Sequence, residues 1–160
     1  MSIDFSAATE AKFQALLKRY PNKPAALIPT LFLTQAEHGY LTLEALEYVA
    51  KRLEMAPTEV LNTATFYTML YKKPVGKHHV EVCTNVSCFL RGCDEIVAAL
   101  QKKLGIGLGE TTPDKLFTLD EVQCLAACGT APALQVNRRF HENMTPQKAV
   151  ALVDELRARG

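Results

Sequence analysis

Four cysteines constrain this chain more than any other feature: Cys83 and Cys88 in CTNVSC, and Cys124 and Cys128 in CLAAC. Each pair falls where the hydrophobic pattern breaks into a loop, and the fold must bring two distant loops together if the four are to act as a set. A thiolate is both a nucleophile and a metal ligand. Four of them from two loops suit a tetrahedral zinc, and equally the two irons of a [2Fe–2S] cluster. The spacers are four and three residues, so neither pair is the short C-x2-C knuckle that structural zinc sites favour. The first pair matches the opening of the plant-type ferredoxin spacing, although that pattern's next cysteine is missing. Spacing therefore favours a [2Fe–2S] cluster and leaves zinc and unliganded thiols as alternatives.

The surroundings of the cysteines bear on that choice. Five cysteines in a chain that opens MSIDFSAATEAKF, with Asp4 and Glu10 and no arginine, argue for metal or redox chemistry in a reducing compartment. The default is a bacterial cytoplasm. The most apolar stretch, PAALIPTLFLT, is too short to cross a bilayer and carries Pro24 and Pro29. Eighteen basic and 17 acidic residues give a formal charge of +1, and no basic stripe interleaved with aromatics points to nucleic acid. An apolar fraction of 48% is enough to build a core without disulfides.

The hydrophobic pattern changes period near the middle of the chain. Residues 1–75 read as an N-terminal helical bundle. Phe13, Leu16, Leu17 and Tyr20 recur at helical spacing up to Pro21, and Ile28, Leu31, Phe32 and Gln35 continue a second helix closed by Gly39. Thr42 caps a third helix with Leu46, Val49, Ala50 and Leu53 on one face, and Pro57 opens a fourth through Val60, Leu61 and Ala64. Phe66 to Tyr71 is apolar over more than one helix face, fitting either inter-domain packing or a partner anchor. Lys72 to Lys77 is polar and turn-like and marks the boundary; its lysines suit a solvated linker better than a partner patch.

Residues 76–160 read as a small mixed β-sheet flanked by helices. His78 to Cys83 alternates as a strand, Cys88 to Leu104 has helical period, and Gly105 to Pro113 is a glycine-rich loop. Leu116 to Gln123 alternates again, Ala133–Asn137 and Arg139–Glu142 suit a hairpin, and Thr145-Pro146 opens a last helix through Leu156. The order β-α-β-β-β-α places the chain in the α+β / α/β class with the outline of a thioredoxin-like domain. Both cysteine pairs then lie at strand ends, with backbone N–H groups of Thr84 to Cys88 available to offset negative charge.

CTNVSCFLRG followed by VQCLAACGTAPALQVN, with IPTLFLTQAEHGYL and ATFYTMLYKKPVGKHHVEVC upstream in the same order, resembles the NuoE family. That family is the thioredoxin-like [2Fe–2S] ferredoxin subunit of bacterial NADH:quinone oxidoreductase, respiratory complex I. The resemblance runs from about Tyr20 to the C-terminal helix. It implies Cys83, Cys88, Cys124 and Cys128 as the cluster ligands, an electron-transfer role, and docking on a NuoF-like flavoprotein that holds FMN and oxidises NADH. It further implies other peripheral-arm subunits as neighbours, a place on the cytoplasmic side of the inner membrane without insertion, and a low-potential site beside the main chain of clusters.

Other residues carry weaker signals. A helix starting at Cys88 would turn Cys93 about 140° away from it, which predicts a buried, inert thiol facing away from the cluster. His78 and His79 fall on opposite faces of a strand and cannot share one metal. His38 and His141 carry no partner spacing. Gly92 is expected to allow a close backbone approach, and Arg91 to pair with a partner or bias the cluster. No nucleophile–base pair, phosphate-cradling loop or dinucleotide fingerprint is present, so NADH and FMN are expected on the partner and no complete active site on this chain. Three competing readings remain. They are the same subunit in an NAD-dependent hydrogenase or formate dehydrogenase, a structural zinc assembly module, and a thiol–disulfide oxidoreductase, which the missing C-x-x-C disfavours.

Overall fold

The computed structural model describes residues 3–159, in two compact units that meet between Pro74 and Val75. The first unit is helical. It contains α1 (Ala7–Leu17), a 3-10 turn at Pro24–Ala26, α2 (Leu27–His38), α3 (Leu43–Leu53) and α4 (Pro57–Phe66). Side-chain caps start α1 and α3: Ser6 Oγ accepts from Thr9 N–H at 3.3 Å and Thr42 Oγ1 from Ala45 N–H at 3.1 Å. Leu46, Val49, Ala50 and Leu53 are all buried, as the face of α3 requires, and join Phe13, Leu31, Val60 and Ala64 in one core. Thr30 and Thr34 are buried in α2, and each hydroxyl returns to a carbonyl one turn back, at 2.7 and 2.9 Å.

The Phe66–Tyr71 run does not extend α4. The helix stops at Phe66 and Tyr67 is already extended. Gln35 clamps the residues beyond it: its Nε2 donates to Met69 O at 3.0 Å and its Oε1 accepts from Tyr71 N–H at 2.6 Å. Leu70 is thereby seated in the helical core, while Phe66 and Met69 stay exposed.

The second unit contains β1 (His78–Cys83), α5 (Val86–Leu90), α6 (Cys93–Leu104), β2 (Glu110–Thr111), β3 (Phe117–Val122), β4 (Leu134–Val136), β5 (Arg139–His141) and α7 (Pro146–Ala158). The strands form one mixed sheet in the order β2-β3-β1-β4-β5. β1 runs parallel to β3, with His78 opposite Phe117 and Cys83 opposite Val122; the remaining pairs are antiparallel. Asn137 and Arg138 both have positive φ, +48° and +69°, the two-residue turn that matches strand twist in a hairpin. α6 packs on β1, β3 and α7, burying Ile96, Leu100, Val80, Val82, Phe117, Leu119, Leu134 and Val153 together.

Four expectations change here. The glycine-rich stretch contains the short strand β2, which pairs with Thr118 and Leu119 of β3. The single helix expected over Cys88–Leu104 is two helices, broken at Arg91-Gly92. Gly92 has φ +86°, a left-handed conformation that costs an L-residue roughly 1–2 kcal/mol. A Cβ there would meet nothing closer than the Glu95 side chain at 3.8 Å, so this glycine serves the bend and not a close backbone approach. Close approach occurs instead at Gly76, in the stretch read as a solvated linker. Its N–H donates to Thr118 Oγ1 at 2.6 Å, and a Cβ would lie 2.7 Å from the Phe117 carbonyl carbon.

Candidate metal centre

Backbone hydrogen bonds at the C-terminal ends of β1 and β3 bring the two cysteine loops together. Cys83 is the last residue of β1, and its N–H donates to Ala133 O at 3.1 Å; the next N–H, of Thr84, donates to Val122 O at 3.1 Å. One ladder step thus ties the chain leaving Cys83 to both ends of the segment that carries Cys124 and Cys128. Asn85 then caps α5, with its Oδ1 accepting from Val86 N–H at 2.8 Å, and Cys88 points inward from that helix and is buried.

The second loop is held from its far side. Thr130 Oγ1 donates to Glu142 Oε1 at 2.6 Å, Asn143 N–H donates to Thr130 O at 2.7 Å, and Met144 N–H donates to Pro132 O at 3.0 Å. Ala126 adopts φ +57° and its N–H donates to Cys124 Sγ at 3.2 Å. Cys128 opens a short 3-10 turn, Cys128–Thr130. Cys83 and Cys88 are buried, Cys124 and Cys128 exposed, and all five thiols are free.

The thiols respond to one another. Burial pushes the Cys83 thiol up, but N–H groups of Asn85 and Leu125, one from each loop, and the Cys88 and Cys124 thiols outweigh it and leave it below the ordinary range. Cys88 goes the other way: burial raises it first, and the neighbouring Cys83 and Cys128 add to that, against an opposing hydrogen bond from Ala133. Every one of the four is thus linked to at least one other. Among the described residues, no three His, Cys, Asp or Glu side chains converge as ligands of one ion. A [2Fe–2S] cluster asks for something different, four thiolates shared between two irons. Two cysteine pairs on two facing loops, with N–H groups from both loops aimed at sulfur, fit that requirement.

Cys93 is buried, as expected, but it does not face away. With α6 starting at Cys93, the thiol donates to Asp94 Oδ1 at 3.6 Å and packs in the core that contains Cys83 and Cys88. Burial, the Asp94 carboxylate and the Cys88 and Cys83 thiols push it up to about 11. His78 and His79 do part to opposite faces. His78 stacks on Phe117 with ring centroids 5.3 Å apart, and His79 Nε2 lies 2.7 Å from Asp120 Oδ2. That pair, and the buried Glu81 carboxylate accepting from Gln135 Nε2 at 2.6 Å, line the sheet face that leads to Cys83. Alternation in HHVEVC shows which residues share this face, whereas their partners come from β3 and β4 and carry no mark in the sequence.

Known proteins agree with this geometry. The model of the thioredoxin-like [2Fe–2S] ferredoxin family matches residues 13–157. The chain is 46% identical over 145 residues to the E subunit of the NADH-quinone oxidoreductase of Rickettsia bellii (strain RML369-C), covering 89% of this chain and 87% of the relative. It is 42% identical over 147 residues to the E 2 subunit of the NADH-quinone oxidoreductase of Rhizobium meliloti (strain 1021), covering 92% and 88%. Among solved structures, the NAD+-reducing [NiFe]-hydrogenase in the H2-reduced state superposes with a TM-score of 0.73 at 21% identity, over 84% of this chain. The match spans 22% of the hydrogenase chain and is a likeness of fold. A family match over nearly the whole length, on a sheet that gathers both cysteine pairs at one end, places this chain in the thioredoxin-like [2Fe–2S] ferredoxin family.

Proposed function

We propose that this chain is the electron-transfer subunit of an NADH:quinone oxidoreductase, with one [2Fe–2S] cluster held by Cys83, Cys88, Cys124 and Cys128. The observation that carries the ligand assignment is the hydrogen-bonded junction of Cys83 with Ala133 and Thr84 with Val122, which brings both cysteine loops to one end of the sheet. When bound, the cluster supplies reversible one-electron exchange with flavin held by a partner subunit. Cys83 and Cys88 hold the buried side and keep water from it, while Cys124 and Cys128 form the side open to a partner. The N–H groups of Asn85 and Leu125 stabilise negative charge on sulfur, one of the levers by which a protein sets a cluster's potential.

The assignment to complex I rests on the NADH-quinone oxidoreductase relatives, 42–46% identical over most of their length, against 21% for the hydrogenase fold. The chain then works within a multi-subunit enzyme, beside a NuoF-like subunit that binds FMN and NADH and other peripheral-arm subunits. No helix among the described residues is long and apolar enough to cross a membrane. A peripheral position on the cytoplasmic side accords with that.

Protein purified without oxygen and assayed for iron, sulfide and zinc tests the reading. Two irons and two sulfides per chain are expected, with a red-brown colour and a one-electron paramagnetic signal after dithionite reduction. Stoichiometric zinc with no sulfide and no visible band would make the chain a structural assembly module instead.

A further inference from the structure

The edge strand β5 inverts the usual alternation of a sheet. Across the hairpin Val136 pairs with Arg139 and Leu134 with His141, and directly paired residues share a face. Leu134 and Val136 lie on the core side, with Val153 of α7. Arg139 and His141 therefore fall on that same side, and Phe140 between them falls on the other, where it is 50% exposed. An ordinary half-buried strand does the reverse, with the apolar residue inward and the cation in water.

A cleft of about 400 Å³ lies over these inward residues. Val136 of β4, with Leu152 and Leu156 of α7, makes its apolar part. Arg139, His141, Glu155 and Arg159 make its polar part, and the His78 ring, stacked on Phe117, borders it from β1. Small-molecule sites have this volume and this combination of apolar wall and a few convergent polar groups. The charge in the cleft is unbalanced. Glu155 is paired with Arg159 one turn on, whereas the Arg139 guanidinium has no hydrogen bond or ion pair among the described residues. Burial and Arg139 hold His141 below its ordinary range, against Glu155, and burial and Lys77 do the same to His78. An inward charge also keeps an edge strand from pairing with another chain, and a cation at the end of α7 suits the helix dipole. The first role concerns Arg139 alone and the second Arg159; neither explains His141 or an apolar wall beside them.

We propose that this cleft binds a phosphomonoester with a planar or apolar body, its phosphate held by Arg139 and His141 and its body laid on Val136, Leu152 and Leu156. A phosphomonoester carries nearly two negative charges at neutral pH. With Glu155 offsetting Arg159, Arg139 and a protonated His141 supply two positive charges to match. A guanidinium also presents two parallel N–H donors to phosphate oxygens. A carboxylate would leave one of those two cations unmatched. His78 and Cys83 are the two ends of β1, so at roughly 3.3 Å per residue the cleft lies about 17 Å from the first cysteine. Occupancy therefore does not require the cluster, and the proposal stands apart from the electron-transfer reading.

Calorimetric titration of the full-length, cluster-loaded chain with phenyl phosphate, inorganic phosphate and phenol tests it. Phenyl phosphate should bind one to one, about tenfold or more tighter than inorganic phosphate because its ring is also buried, and phenol should not bind. Arg139→Gln should weaken binding about tenfold or more, and Arg139→Lys should restore only part of it. Arg19→Gln, which removes an exposed cation of the helical unit, should change nothing. In proton NMR, phenyl phosphate should raise the titration midpoint of His141, because an anion favours the charged imidazole. The neighbours of His141, which are Arg139 on β5 and Glu155 and Arg159 on α7, keep their charge over that range, so the shift reports the ligand. Inorganic phosphate binding as tightly as phenyl phosphate would make the cleft an adventitious ion site only and overturn the proposal. Absence of phenyl phosphate binding, wild-type affinity in Arg139→Gln or an unmoved His141 midpoint would overturn it as well. Binding by the free chain that is lost in the assembled enzyme would assign the cleft to an acidic side chain of a neighbouring subunit, again overturning it.

Discussion

Cys93 and Gly76 are residues whose surroundings differ from what their sequence positions suggest. Cys93 lies in the core with Cys83 and Cys88, yet it is fully buried and its thiol is engaged by Asp94. Its thiol donates to Asp94 and it stands outside both cysteine pairs, so Cys93→Ala is expected to keep the iron content and visible spectrum of the wild type. Cys124→Ala should lose both. Retention of a normal cluster by Cys124→Ala, together with its loss in Cys93→Ala, would reverse the assignment. At Gly76 the neighbour is the backbone of β3, which cannot rotate aside as a side chain does. Gly76→Ala should therefore lower stability by about 1–3 kcal/mol, read as a shift in urea midpoint at unchanged slope.

At the scale of elements, the bend between α5 and α6 decides how the first cysteine pair is presented. Without it, Cys88 and Cys93 would belong to one continuous cylinder, and α5 could not hold Cys88 inward while displaying Val86, Phe89 and Leu90. The sequence contains Gly92 but not its φ, and helical period alone runs straight through it. A comparable element lies in the helical unit, where Gln35 takes over the backbone groups of Met69 and Tyr71 after α4 has ended. Gln35→Ala leaves a part-buried N–H and carbonyl without that partner. A loss of about 1–3 kcal/mol is expected, with faster amide exchange at Tyr71. Unchanged exchange at Tyr71 would mean that another group anchors the segment.

For the whole molecule, the two units carry separate cores, one built on Phe13, Leu31, Val49 and Val60, the other on Val80, Ile96, Phe117 and Leu119. Leu31 and Leu119 are both fully buried, and truncating either to Ala should cost about 2–5 kcal/mol in its own unit. The consequences for the centre should differ. Leu119→Ala should lower the temperature at which visible absorbance is lost, because β3 leads directly to the Cys124 loop. Leu31→Ala should lower the far-ultraviolet transition of the helical unit and leave the visible one in place. A common shift of both signals in Leu31→Ala would show that the units unfold as one.

Local pattern alone determined much of this protein. The four helices of the first unit, β1, β3, the hairpin and the last helix are all legible as period, caps and turn residues, because those signals arise from groups a few residues apart. The cysteine spacing likewise narrowed the chemistry before any fold was known. Tertiary structure decided what depends on residues distant in sequence: the parallel pairing of β1 with β3, the His79–Asp120 and Glu81–Gln135 contacts, and the seating of Gly76 on β3. It also decided that two loops separated by an entire helix and two strands close on one another. A sequence states which groups are present within a turn or two of each other; only the packed sheet states which distant groups share a volume.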